Sequence, residues 1–234
     1  MPSVSEPIRV VLASMSPRRQ RLLASMGLSF DLAASDIDEA GYAEEPPAER
    51  ATRLSLAKAH AVAALYPQAV IIAADTLVVV DDQVLGKPHS EVAAVEMLTR
   101  LRKRQHLVYS GLTVLDARRK RYCTETVVTA VVMRDYTDEE IRRYVDSQNP
   151  MDKAGAYAIQ DVDFAPVARI DGCYANVMGL PMCHLYRALH SGRIHVPVSP
   201  LDCCPSAVKK GCCPWARGIL EAPSDAWSLT SGCV

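Results

Sequence analysis

Residues Val70–Val80 have the sequence VIIAADTLVVV, and this stretch decides the fold. Apolar, mostly β-branched residues occupy nearly every position, which is typical of a strand buried on both faces of a sheet. Asp75 and Thr76 lie in its middle. Because a buried carboxylate needs a cation, a hydrogen-bond network or a metal, Asp75 is predicted either to take a structural partner or to be a catalytic or metal-binding group.

The composition favours a folded protein with a substantial core. The chain has 234 residues, 49% of them hydrophobic, which is enough for one large domain or two small lobes. The formal net charge of -1 gives no general attraction to nucleic acid. Since no apolar run is long enough to cross a membrane and the start lacks the features of a secretory signal, we expect a cytoplasmic protein without a membrane partner.

A strand at 8–13 is followed by a turn and a helix that starts with two arginines. Ser16 is a good N-cap and Pro17 suits the first helical position. Arg18 and Arg19 then oppose the helix dipole, which favours negative charge at this end. Either both side chains are simply solvated, or they bind a phosphate together with the free N–H groups of the helix.

Two further charged features allow an ordinary and a functional interpretation. Lys58 lies on the apolar stripe of a predicted helix at 47–66, so its ammonium group either reaches out to water or meets an anion in a cleft. Asp36, Asp38 and Glu39 form an acidic cluster before Gly41 that is either solvated or binds a divalent cation through its oxygens.

The remaining pattern predicts an α/β fold in which strands alternate with helices. Strands are expected at 29–34, 107–115, 122–133 and 164–170, with helices at 91–101, 138–145 and 182–189 and a loop at 151–160. The arginines, lysines and carboxylates fall mostly at strand ends and loops. Cations that bind phosphate beside carboxylates that bind a metal are typical of phosphoryl chemistry.

The chain changes character near Val196, beyond which prolines and cysteines recur without periodicity. We therefore divide it into a domain at 1–196 and a tail at 197–234 that is expected to be poorly ordered. The cysteine pairs at 203/204 and 212/213 lack the usual C-x-x-C zinc spacing, which favours reduced thiols over a metal site. Truncation after Val196 is expected to leave a folded, active protein.

Five motifs, in order and at compatible spacing, resemble the Maf family of nucleoside triphosphate pyrophosphatases. They are LASMSPRR (12–19), AADT (73–76), GKP (86–88), MDKAGAYAIQ (151–160) and DGCYANVMGLP (171–181). The resemblance runs from about residue 8 to residue 195. It implies a mixed, twisted β-sheet with flanking helices, two lobes around a nucleotide cleft and an enzyme that is often a homodimer.

The resemblance also implies the reaction and its residues. Such enzymes cleave a nucleoside triphosphate between the α and β phosphates with a divalent metal, here expected to be Mg²⁺ or else Mn²⁺. Asp75 matches the catalytic proton acceptor, and Asp75 and Glu39 match the metal position. The matched substrate-binding positions are Arg19, Lys58 and Lys87 for phosphate, Arg18, Thr76 and Gln160 for base selectivity, with Lys153 nearby, and Ser14 in the first motif.

The three base-selecting positions point to dTTP and UTP. The family branch that acts on 7-methyl-GTP tends to carry Trp, Gln and Glu where this chain has Arg18, Thr76 and Gln160. Asp161 and Asp163 stand where glycine is usual in the family, and two carboxylates near a triphosphate are expected to weaken its binding.

Two other functions compete with the enzyme. One is a nucleotide-binding regulator of cell division, since the family name is tied to septum formation, and it would keep the site with little turnover. The other is a nucleic-acid binder, which a single basic turn without an aromatic platform supports poorly.

Overall fold

The computed structural model describes residues 8–39, 45–210, 213–223 and 227–230. Its strands are β1 (Val10–Leu12), β2 (Asp31–Leu32), β3 (Val70–Val80), β4 (Gln83–Leu85), β5 (Gln105–Asp116), β6 (Arg121–Met133), β7 (Val167–Asp171) and β8 (Ser228–Leu229). The helices are α1 (Pro17–Ser25), α2 (Pro47–Leu65), α3 (Glu91–Leu101), α4 (Asp138–Asp146), α5 (Tyr174–Val177), α6 (Met182–Ser191), α7 (Pro200–Cys203), α8 (Pro205–Lys210) and α9 (Ala216–Glu221). Two 3-10 turns, Asn149–Asp152 and Ala154–Ala156, lie between α4 and β7.

The described strands form one eight-stranded mixed sheet with β3 near its centre. The order is β2-β1-β3-β5-β6-β7, with β4 paired to β3 and β8 paired to β6. β3 runs parallel to β1 and antiparallel to β5. The neighbouring strand β1 and most of β5 are buried as well, which agrees with the nearly continuous apolar sequence of β3. The prediction of a mixed α/β sheet with flanking helices is confirmed.

The apolar core divides at the middle of β3. The first half of the strand contributes Val70 and Ile72 to a cluster that also contains residues of α1 and α6. The second half contributes Val78 and Val80 to a cluster built on α3 and α4. Asp75 and Thr76 therefore lie where the two clusters meet, as expected for a site between two lobes.

Some predicted element bounds differ from the observed ones. The strand expected at 29–34 is only Asp31–Leu32, and the strand expected at 164–170 begins at Val167. Phe164 is instead a core residue whose ring stacks on Tyr144 at a centroid distance of 4.2 Å. Ala165 has a φ of 43°, which cannot continue into an extended strand.

The prediction of an irregular tail is wrong for the described tail residues. Pro200 and Pro205 are the first residues of α7 and α8, where proline fits a helix well. Cys204 and Ala207 are buried in the cluster that contains Val70. Farther along, β8 pairs with β6. Two of the tail prolines therefore begin short helices, while the domain boundary near residue 196 stays a prediction.

The cysteines with described positions are free thiols, in agreement with the expectation of reduced cysteines. Burial raises the pKa of both Cys173 and Cys183 to about 12, so these thiols stay protonated at neutral pH. Cys212 and Cys233 lie outside the described residues.

In the part of the chain that the structure describes, no helix combines the length and the apolar character needed to cross a membrane.

Candidate active site

Asp75, Lys58 and Glu39 come together around one ammonium group. Lys58 Nζ, on α2, lies 2.6 Å from Asp75 Oδ1 and 2.6 Å from Glu39 Oε1. The side chains of Lys58 and Asp75 are only 9% and 10% exposed, whereas that of Glu39 is 62% exposed. Lys58 thus points into the site rather than out to water. Its hydrogen bond lowers the pKa of Glu39, which favours the charged carboxylate.

The close approach of α2 to the sheet depends on Gly111. This residue lies directly opposite Asp75 on β5. A Cβ at position 111 would lie 2.0 Å from the carbonyl oxygen of Ala51 on α2. No side chain fits there, so glycine lets the helix pack near enough for Lys58 to reach Asp75.

Arg19 is held by three protein acceptors beside Asp75. Its Nε donates to Gly179 O at 2.9 Å, Nη1 to Ser14 Oγ at 3.2 Å and Nη2 to Thr76 Oγ1 at 3.1 Å. Burial lowers the pKa of Arg19, an effect that nearby Asp75 opposes. Of its five N–H groups, two make no hydrogen bond to the described residues and can bind a ligand. The guanidinium group is therefore fixed in place with part of its donor capacity unused.

Gly179 is required by its conformation as well as by space. Its φ is +103°, a region that only glycine adopts readily, and an added Cβ would lie 3.3 Å from Arg19 Nε. The motif that ends in this glycine therefore forms one wall around Arg19.

Two residues behind Thr76 were missed by the sequence analysis. Ser110 Oγ lies 2.8 Å from Thr76 Oγ1 and donates to Asn176 O at 3.4 Å. Neither Ser110 nor Asn176 is exposed. Ser110 faces Thr76 because β3 and β5 pair in that register, and a single serine in an apolar strand was the only signal.

Arg18 and Gln160, two of the three positions matched to base selectivity, line one cavity of about 360 Å³ together with Lys153, whereas Thr76 is not among its described lining residues. The cavity lies beside the start of α1. Asp161 and Asp163 line it as well. The structure thus brings together three of the residues that the motifs singled out and places both unusual carboxylates beside them.

Asp152 links Arg18 and Lys153, two of the cations that line this cavity. Its carboxylate forms an ion pair with Lys153 and lies 3.8 Å from Arg18 Nη1. Burial alone would raise the pKa of Asp152, but Lys153 and Arg18 outweigh it and the net pKa is lowered. Burial lowers the pKa of Arg18, against the effect of Asp152. The cations are thus pre-positioned by a carboxylate that the sequence analysis left unassigned.

The two carboxylates at the glycine positions differ in what they do. Asp161 Oδ1 accepts a hydrogen bond of 2.9 Å from Phe164 N and so caps the turn. Asp163 is exposed at the edge of the cavity.

Lys87 lies in an exposed loop whose neighbour Gly86 accepts a hydrogen bond from Gly155 N. Its positive charge helps to lower the pKa of Glu39, the carboxylate that is paired with Lys58.

The donor set at Lys58 fits a small divalent cation. Within the described residues, no group of three or more His, Cys, Asp or Glu side chains forms a ready-made metal site. Mg²⁺, however, is commonly bound by one or two carboxylates together with substrate phosphates and water. Asp75 and Glu39 supply two carboxylates that converge on one cation already, the ammonium of Lys58.

A second, more open groove of about 640 Å³ lies over the other side of α2, lined by residues such as Leu56, Ala57 and His60. It is mainly apolar, and its described lining includes none of the predicted site residues. Its character does not suit a triphosphate.

The chain is similar to a known protein family and to several characterised relatives. Residues 9–192 match the family model described as Maf-like protein. A dTTP/UTP pyrophosphatase of Carboxydothermus hydrogenoformans is 47% identical over 182 residues, covering 78% of this chain and 97% of the relative. A dTTP/UTP pyrophosphatase of Geobacter sulfurreducens is 49% identical over 181 residues, covering 77% and 95%, and one of Moorella thermoacetica is 48% identical over 181 residues, covering 77% and 93%.

Proposed function

Since the chain belongs to the Maf family, we propose that it is a nucleoside triphosphate pyrophosphatase that hydrolyses dTTP and UTP to the monophosphate and pyrophosphate. The names of these relatives support the reaction class and the substrates. They do not favour a regulator with little turnover. The enzyme would then be a hydrolase of phosphorus anhydrides that removes unwanted nucleotides from the pool.

One observation carries the proposal: two adjacent residues of β3 each contact one of the cations of the site. Asp75 contacts Lys58, and its neighbour Thr76 contacts Arg19. A triphosphate placed across this strand would lie beside Asp75, which can take a proton from water. It would also lie beside the N–H donors of Arg19 and Lys58, which stabilise the negative charge on its oxygens.

The proposed reaction is in-line attack of water on the α-phosphorus. Asp75 takes a proton from the water or helps to hold the metal that acidifies it, and the geometry is compatible with either role. Arg19 directs its two unused N–H groups toward phosphate oxygens, and Lys58 and Lys87 offset the charge that develops on the leaving pyrophosphate. Lys58 also holds Asp75 in a single orientation.

Asp75 and Glu39 would hold the divalent cation, Mg²⁺ or Mn²⁺, in this proposal. Such an ion, when bound, polarises phosphate oxygens and neutralises part of their charge.

The cavity of Arg18, Lys153 and Gln160 is proposed to receive the base. The amide of Gln160 has both a donor and an acceptor, which complements the O4 and N3–H edge of uracil or thymine. A methylated guanine carries positive charge, so an arginine in the cavity disfavours it. These features support dTTP and UTP over 7-methyl-GTP.

The test is a comparison of kcat/KM for dTTP, UTP and 7-methyl-GTP with Mg²⁺, with monophosphate and pyrophosphate both measured. Hydrolysis in ¹⁸O-labelled water should place the label in the monophosphate, because the attack is at the α-phosphorus. Release of inorganic phosphate, or a clear preference for 7-methyl-GTP, would contradict the proposal. Gln160→Glu should shift selectivity toward 7-methyl-GTP.

The partners follow from the same proposal. We expect a homodimer in the cytoplasm that binds neither nucleic acid nor membrane. The formal net charge of -1 supports the absence of nucleic-acid binding. Light scattering and a gel-shift assay with a DNA duplex test these expectations.

A further inference from the structure

One ammonium group lies between two carboxylates in the candidate active site. Lys58 Nζ is 2.6 Å from Asp75 Oδ1 and 2.6 Å from Glu39 Oε1. Because both oxygens contact one nitrogen atom, they are also near enough to each other to be ligands of one small cation. An ammonium group and a divalent cation at these oxygens would compete for the same lone pairs and repel each other. The two cations are therefore expected to exclude one another.

The proposed function gives these side chains roles that the observed contacts do not satisfy together. Asp75 and Glu39 are proposed to hold the divalent cation, and Lys58 is proposed to act on phosphate. The ammonium group of Lys58, however, is bonded to both carboxylates. All three roles can be taken up only if this group moves from the carboxylates to a phosphate when the cation binds.

The three residues differ in how far they can move. Asp75 lies on the buried strand β3, and its side chain is 10% exposed. The backbone of Glu39 is bonded to α2, since Arg50 Nη2 donates to Glu39 O at 3.2 Å, while its side chain is 62% exposed. Lys58 carries its charge at the end of a flexible stem. The lysine is therefore the member that can leave, and a cation can enter from the open side of Glu39.

We propose that Lys58 is a displaceable counter-ion of the metal site, which holds Asp75 and Glu39 together until a divalent cation replaces it and frees its ammonium group for phosphate. Two adjacent carboxylates without a cation between them repel each other. Lys58 thus keeps the carboxylates in place for the divalent cation and also competes with it. The inference rests on the proposed function, which assigns the cation to these carboxylates.

The first test follows Lys58 itself in the wild-type protein. Its amine is labelled with a short pulse of an acylating reagent, without nucleotide, and the product is measured by mass spectrometry with and without saturating Mn²⁺. A side chain that is 9% exposed and bonded to two carboxylates is shielded from the reagent, so displacement should raise its labelling severalfold. Lys87 is the control, because it affects Glu39 through its charge without a hydrogen bond to it. Unchanged labelling of Lys58, or an equal rise at Lys87, overturns the proposal.

The second test is the affinity for Mn²⁺, measured by calorimetry without nucleotide. Lys58→Met removes the competing ammonium group, so Mn²⁺ should bind about tenfold more tightly, since a hydrogen bond to a charged group is worth at least that factor in an equilibrium constant. Lys87→Met removes the same charge near Glu39 and should have a smaller effect. Unchanged or weaker binding in folded Lys58→Met, or the same gain in Lys87→Met, contradicts the proposal. If Lys58→Met does not fold, the labelling of the wild-type protein still decides.

Neither measurement depends on turnover, which separates this inference from the proposed reaction. If the wild-type protein releases no pyrophosphate, the reaction is wrong, and the labelling and the Mn²⁺ affinity still test Lys58. If pyrophosphate is released while the labelling of Lys58 stays the same at saturating Mn²⁺, only the inference is overturned.

Discussion

Lys58 and Asp75 form an ion pair whose two side chains are each about nine-tenths buried. Removing one charge from such a pair leaves the other short of a partner, but Lys58 keeps Glu39 as a second one. The carboxylate can therefore be neutralised without stranding the lysine, which makes Asp75 a suitable position for an isosteric substitution.

Asp75→Asn should abolish hydrolysis while nucleotide still binds. The amide keeps the shape but loses the charge and basicity, so kcat is expected to fall by a factor of about 10² to 10⁴. Steady-state kinetics and calorimetry with a non-hydrolysable analogue measure the two effects. Asp116→Asn is the matched control, since Asp116 is a fully buried carboxylate paired with Arg118 and Arg119 at the end of β5. Wild-type turnover in Asp75→Asn would show that the assigned base is wrong.

Individual site residues could be predicted where they belong to a motif or carry an unusual charge. Residues that reach the site only through contacts distant in the chain could not be predicted. Asp75, Lys58 and Arg19 could be predicted because buried or helix-start charges are unusual. Ser110 and Asn176 could not, since their contact with the site depends on the register of β5 and on the path of the chain to α5.

Among the elements, α2 packs against β5 with a very close contact at Gly111. Gly111→Ala should push α2 from the sheet and draw Lys58 away from Asp75. We expect a loss of about 1–3 kcal/mol in the free energy of unfolding and a lower kcat/KM for UTP.

Thermal unfolding and kinetics measure both effects of Gly111→Ala. Gly218→Ala on α9 is the control, because an added Cβ there has no neighbour within 4 Å. Unchanged stability and activity in Gly111→Ala would mean that the helix adjusts without cost.

A charged cluster joins β6 to α6. Glu125 accepts from His184 Nδ1 at 2.7 Å and from Arg187 Nη2 at 2.8 Å through each of its oxygens. Burial alone would raise the pKa of Glu125, but His184 and Arg187 outweigh it and the net pKa lies below its usual value of 4.5. Stability from this carboxylate is therefore present above that value and is lost as pH falls through the lowered pKa.

Glu125→Gln should cost about 2 kcal/mol in the free energy of unfolding at pH 7. Below the usual carboxyl pKa the difference from wild type should shrink, because the native carboxylate also becomes protonated. Urea unfolding from pH 3 to pH 7 follows the change. Glu96→Gln removes the same charge at an exposed position of α3 and should have little effect. A difference that is constant with pH would exclude the ionised cluster as its cause.

For the whole molecule, the tail is attached to the body at several separated points. Val198 N donates to Met26 O at 3.1 Å, and Thr230 N donates to Lys120 O at 2.8 Å. Between them, Trp227 Nε1 donates to Ser191 Oγ at 3.0 Å and its ring lies 4.5 Å from the guanidinium carbon of Arg121. The sequence analysis expected truncation after Val196 to leave a folded, active protein; these contacts predict in addition that the truncated protein is less stable.

Truncation after Val196 should lower the melting temperature, because it uncovers the cluster that Cys204 and Ala207 help to bury. Trp227→Ala alone should cost on the order of 2 kcal/mol in the free energy of unfolding. Trp215→Ala is the control, since Trp215 is 46% exposed. An unchanged melting temperature after truncation would restore the original view of the tail.

The sequence underestimated this region for a physical reason. Its helices have only four to six residues each, too short to show a hydrophobic period. Ser199 followed by Pro200 was a usable signal, because a serine cap before a first-turn proline favours a helix start. The long strands and helices of the body, by contrast, were predicted because each buries one regular face.

The central strand also determines the order in which the molecule can assemble. The β5–β6 ribbon joins neighbours in the chain across a turn at 117–120, so a nascent polypeptide can close it early and at low entropic cost. The pairing of β1 with β3 brings residue 10 next to residue 70. Closing this long loop costs more entropy, so the pairing is expected to form more slowly. Because Arg19 follows β1 and Asp75 lies on β3, catalytic competence would be the last property that a refolding chain regains. Pulse-labelled amides of β5 should gain protection before pyrophosphate release returns.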